Sequence, residues 1–100
     1  MRINTKIVLK NLKGEDLKAE DGVLTLGGAI SNILSSDQAG GKMKLFILAQ
    51  KFFTENELDL DSADLNLVKE SIKGTKIYTA LVAGQVEKII EELKEEKKDK

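Results

Sequence analysis

The stretch GVLTLGGAISNIL, residues 22–34, is where the chain changes its hydrophobic period, and the fold class turns on that change. From Leu24 onward Leu26, Ile30, Ile33 and Leu34 recur at spacings of three and four. They therefore share one face of a helix, and Thr25 stands where an N-cap belongs. Upstream the period is two. In RINTKIVLKNL, residues 2–12, Ile3, Thr5, Ile7 and Leu9 alternate with Asn4, Lys6 and Lys10, broken only by Val8. That alternation predicts a strand with one buried face. Gly14 and Gly22 lie beside acidic residues suited to turns, so residues 2–20 are read as a β-hairpin whose return strand lies around Asp16 to Ala19. Two strands alone are marginal in water, and the hairpin must lie against helices.

Downstream the helical period persists. SSDQAGGK is read as a connection, followed by a second helix over about 41–54 with Leu45, Leu48, Ala49, Phe52 and Phe53 on one side and Met43, Phe46 and Ile47 on another. So wide an apolar arc predicts a central helix touched from several directions. A polar joint leads to a third helix over 62–73, with Leu65, Val68 and Ile72 inward, Asp61 as its cap and Gly74 as a left-handed C′ residue. Thr75 is read as the cap of a final helix over 76–93 carrying Tyr78, Leu81, Val82, Val86, Ile89, Ile90 and Leu93 as one stripe. Residues 94–100 form a charged, solvated tail. The expected fold is α+β, mainly α: one domain over 1–93, a hairpin packed on a compact bundle of about four helices.

Composition narrows the function. The chain has 100 residues, 41% apolar and 33% charged, which suits one folded core with a strongly solvated surface. Sixteen basic against seventeen acidic residues leave a net charge of -1, and Arg2 is the one arginine, so nucleic acid is not an expected partner. Cysteine and histidine are both missing, which excludes thiol chemistry and removes the commonest metal ligand and neutral-pH base. No apolar run approaches 18 residues and the opening MRINTKIVLK lacks an apolar signal core. A cytoplasmic protein without a membrane span is expected.

Two loops invite a ligand and fail on spacing. With Gly41 and Lys42 fixed, a Walker loop needs glycine at 36 and a hydroxyl at 43, where Ser36 and Met43 stand. Helix N-termini at Gly27 and Gly28, and at Gly41 and Lys42, stay as weak anion candidates and support an alternative reading as a small-ligand or nucleotide binder. Asp59, Asp61 and Glu70 fall at positions 1, 3 and 12 of a calcium loop, but Ala63 and Asp64 occupy positions 5 and 6, where an oxygen ligand and a glycine are needed. No catalytic residue, metal or cofactor is assigned.

Small residues point elsewhere. Ala80 and Gly84 lie four apart on the last helix, and a mid-helix glycine costs about 1 kcal/mol relative to alanine. Gly84 therefore asks for a close neighbour, either within the chain or in a second copy, with Gln85 as a polar contact beside it. Ile3 and Ile7 on the hairpin edge complete the candidate interface, with the lysines at 6, 10, 13 and 18 guarding that edge.

The segments KIVLKNLKGEDLK, LTLGGAISNIL, KLFILAQKF, ELDLDSADLNLVKESIKG and LVAGQVEKII, in this order, resemble a group of small proteins encoded by bacteriophages and prophages, over about residues 3–93. The resemblance carries no motif of assigned role. It implies a phage product acting inside a bacterial host cell. Together these readings give a non-enzymatic protein–protein interaction module that forms a homo-oligomer and binds a phage or host protein, in particle assembly or in modulating the host.

Overall fold

A computed structural model describes the backbone of residues 2–19, 22–36 and 42–98, and the side chains among them except those of residue 42 and residues 93–98. Its elements in chain order are β1 (Arg2–Asn4), β2 (Lys18–Ala19), β3 (Gly22–Val23), α1 (Leu26–Ser36), α2 (Lys42–Thr54), β4 (Glu57–Asp59), α3 (Ser62–Gly74) and α4 (Ala80–Lys98). The mainly helical α+β class is the one expected.

The change of period at Leu24 marks a real boundary. Thr25 caps α1: its hydroxyl accepts the Gly28 N–H at 3.1 Å and its carbonyl accepts the Ala29 N–H at 2.9 Å. Seven of the eleven residues of α1 are buried, including Leu26, Ile30, Ile33 and Leu34. Helix α1 packs against α2, α3 and α4. The central helix is thus α1 and not α2. Its small buried residues, Gly27, Ala29 and Ser31, let neighbours close on more than one side.

The hairpin forms around Asn11 to Glu15, where Asn11 donates to the Glu15 carbonyl at 2.9 Å and Gly14 takes the positive φ of 86° that the turn requires. Lys10 then faces Asp16 across the pair. Three leucine backbones close a ring at its base: Leu9 donates to Leu24, Leu24 to Leu17 and Leu17 to Leu9, at 2.8 to 2.9 Å. The expected strand splits, however. Arg2–Asn4 does not pair with the hairpin's return segment; it runs antiparallel to β4, with Ile3 opposite Leu58. Residues 57–60, read above as part of a polar joint, instead bury Leu58 and Leu60. The return segment pairs onward with β3.

Asp61 caps α3, accepting the Asp64 N–H at 2.8 Å, and Leu65, Val68 and Ile72 are buried as the spacing requires. Gly74 closes α3 without a positive φ, so it is not a left-handed C′ residue. The extended Thr75 ends the helix by donating its N–H to the Ile72 carbonyl at 3.3 Å. Thr75 is also not the start of α4. The carbonyl of Thr79 accepts the first N–H groups, from Val82 and Ala83, while Tyr78 is held to α1 by the Asn32 amide, which donates to its hydroxyl at 2.9 Å. Val82, Val86 and Ile90 form the buried stripe of α4, which continues through Lys98, beyond the expected end at 93. The side chain of Leu93 and the connection 37–41 lie outside the described residues.

Glycines 27 and 84 give the packing a direct check. A Cβ on Gly27 would stand 2.5 Å from the Phe52 carbonyl oxygen and 2.6 Å from the Thr5 Cβ, whereas a Cβ on Gly84 meets nothing within 4 Å. Gly27→Ala should therefore destabilise by about 1–3 kcal/mol or more. In dilute, monomeric protein Gly84→Ala should stabilise by about 0.5–1 kcal/mol, and urea unfolding of the two variants reads both signs.

Candidate protein-interaction surface

Helix α2 is apolar on both sides, and only one side is covered. Leu45, Leu48, Ala49 and Phe52 are buried against the core. Met43, Phe46, Ile47 and Phe53 are 77%, 60%, 40% and 70% exposed. At about 100° per residue these four, with exposed Gln50 and Thr54, span an arc of about 120° on the side away from the buried residues. Exposed single apolar side chains are ordinary, but four on one face of one helix, here at i, i+3, i+4 and i+10, are the pattern of a docking face. Lys44 borders it and pairs with Asp64 at 3.0 Å. Lys51, two turns on, lies along the same border and is exposed.

Phe53 also forms a wall of an open cleft of about 630 Å³, lined with it by Lys18, Val23, Thr25, Asn32 and Tyr78 among others. The stripe and the cleft are therefore continuous. Val23, 39% exposed, adds an apolar patch at the cleft's mouth.

The residues singled out in the sequence fare differently. Ile3 is fully buried beneath the β1–β4 pair and cannot meet a partner. Ile7 is half-buried against the core, and its carbonyl accepts the Leu26 N–H at 2.7 Å. Gln85 is spent within the chain: its amide donates to the Lys10 carbonyl at 2.7 Å and to the Leu81 carbonyl at 2.9 Å, and its oxygen accepts the Lys10 N–H at 2.8 Å. The hairpin edge at Lys10 is thus closed by an amide from α4 and is not open for strand addition. Ala80 and Gly84 are exposed, and the empty space around Gly84 removes the intrachain crossing as the reason for a glycine there.

The anion candidates at α1 are occupied as well. Leu26 donates to Ile7, Gly27 to the Thr5 carbonyl at 3.0 Å and Gly28 to the Thr25 hydroxyl, so the first-turn N–H groups that would hold an anion already have acceptors. Gly27 is a packing glycine, its hydrogen facing the Phe52 carbonyl. Gly41 and the side chain of Lys42 lie outside the described residues. Among the described residues no group of three acidic side chains is placed to hold a metal ion, and Asp61 is occupied as a cap. The signal for the α2 stripe was present in the sequence, as two apolar sides on one helix, but apolarity alone does not distinguish a core face from a docking face.

No family model, curated protein or solved structure matches the chain.

Across the hairpin, the hydrogen bond from the Lys10 ammonium, and then its charge, hold the Asp16 carboxyl below its ordinary value of 3.8, with Lys18 adding a smaller pull. A lowered carboxyl stabilises the fold above its unfolded titration, and the effect is lost as pH falls through the lowered value. In an NMR carboxyl titration Asp16 should have its midpoint below 3.8, and Lys10→Met should return it towards that value.

Proposed function

We propose that the protein is a non-enzymatic protein–protein interaction module of a bacteriophage or prophage, serving particle assembly or the binding of a host protein, and that the outer face of α2 is its docking surface. The observation that carries this reading is the stripe of Met43, Phe46, Ile47 and Phe53, exposed opposite the face that α2 buries. Aromatic side chains held on a fixed helix lose little freedom when covered and dominate binding energy at interfaces. The phage setting rests on the resemblance of segment order described above.

A second contact is favoured by Gly84. Its cost in helix stability has no compensation among the described residues, and a close approach by a second copy along Ala80 and Gly84 would supply one. Self-association through α4 leaves α2 uncovered for a different partner. A small-ligand reading loses its support at the start of α1, where the N–H groups are taken.

A photoreactive benzoylphenylalanine at position 46, in protein expressed in phage-infected bacteria, tests the docking face. One dominant cross-linked protein is expected from position 46 and not from Lys73, which is exposed on α3. Equal cross-linking from both positions, or none from position 46, contradicts the assignment.

A further inference from the structure

The geometry points to the occupant of this face: we infer that α2 receives an amphipathic helix whose apolar stripe is bordered by carboxylates, an inference that rests on the outer face of α2 being the docking surface. Shape selects a helix. Positions 43, 46, 47, 50, 53 and 54 form a single straight track about 17 Å long, and the backbone groups of a helix interior are already paired. An approaching chain meets side chains only, at intervals that another helix reproduces.

Charge selects the sign. Helix α2 carries Lys42, Lys44 and Lys51 and no acidic residue. Lys44 and Lys51 lie seven residues apart, on one edge of the track. Lys44 already has Asp64, while Lys51 has a side chain exposed beside Ile47 and Gln50. Carboxylates flanking a partner's stripe meet these cations at the rim of the contact, where such pairs set partner choice and encounter rate.

The same charges disfavour a second copy of α2 as occupant. In an antiparallel pair about a dyad, the Lys44 and Lys51 edge faces the identical edge of the other copy. In a parallel pair it faces the edge carrying Phe46 and Phe53. Neither arrangement brings a carboxylate from α2 to the lysines. Beyond Phe53 the track opens into the cleft, where Lys18 is the one charged residue among the described lining. An apolar side chain near the end of the partner helix enters there, beside Val23, Leu24 and Tyr78.

The test uses the full-length protein and two fluorescein-labelled synthetic helices of about 18 residues, long enough to hold helical structure. Both share one Leu/Phe stripe; one is flanked by glutamate, the other by lysine. Fluorescence anisotropy should show the glutamate peptide binding at least about tenfold more tightly at low salt, with the advantage shrinking as screening rises. Phe46→Ser with Phe53→Ser should abolish binding, and Lys51→Glu should narrow the advantage without abolishing binding. These three side chains are exposed, so the variants fold. Equal affinity for the two peptides, lost in the double serine variant, overturns the acidic partner and leaves the docking face standing. A dimer in sedimentation that the double serine variant dissolves makes a second copy the occupant and overturns the inference. No binding of either peptide, in the absence of a dimer that the double serine variant dissolves, overturns the docking face itself.

Discussion

Three segments distant in sequence meet at the backbone of Thr5 and Gly27, and the rest of the fold depends on how closely they approach. The Thr5 N–H donates to the Asn56 carbonyl at 2.9 Å, its hydroxyl donates to the Glu55 carbonyl, and its own carbonyl accepts the Gly27 N–H. Thr5 is 3% exposed, so each polar group would be costly if left without a partner. Gly27 makes the contact possible by having no Cβ: the Phe52 carbonyl oxygen occupies the space a side chain would need. Strand β1, the first turn of α1 and the last turn of α2 are thereby fixed relative to one another.

The exposed face follows from this crossing. With the end of α2 drawn against α1 through Phe52, the helix buries Leu45, Leu48 and Ala49 and turns Met43, Phe46, Ile47 and Phe53 away from the core. Pairing of β1 with β4 carries the chain from α2 into α3 with Leu58 and Leu60 inward. Helices α3 and α4 then close on α1, and α2 is left at the periphery. The hairpin edge is treated differently. There Gln85 satisfies both backbone groups of Lys10, so an edge that could have recruited a strand is covered by the chain's own α4.

Most of the helical architecture was legible in the sequence because it is local. Thr25 and Asp61 act as caps where the spacing put them, the stripes on α1 and α3 are buried as their period requires, and on α4 Val82, Val86 and Ile90 are buried. What was not legible is non-local. The segment ELDL alternates like a strand, but it is short and acidic, and only its pairing with Arg2–Asn4 across more than fifty residues makes it one. Gly27 and Gly28 read alike as helix-start glycines, yet one is a close-approach site and the other carries the N–H that binds the cap. Gly84 read as a close approach either within the chain or to a second copy, and among the described residues nothing lies close enough to be the first. Ile3 read as an edge residue because alternation does not reveal which face, or which partner strand, a β-residue meets. The two-sided apolarity of α2 was visible, but it predicted a central helix; the placement of α1 at the centre turns the same residues into a surface.

Native-state hydrogen exchange at the amides of Thr5 and Gly27 tests most directly whether this crossing organises the fold. Thr5 and Gly27 are both buried and both N–H groups are hydrogen-bonded, so they should exchange only through global unfolding, at the same free energy as the core amides of α1. Exchange of Thr5 and Gly27 through a local opening, while the core of α1 remains protected, would contradict the account.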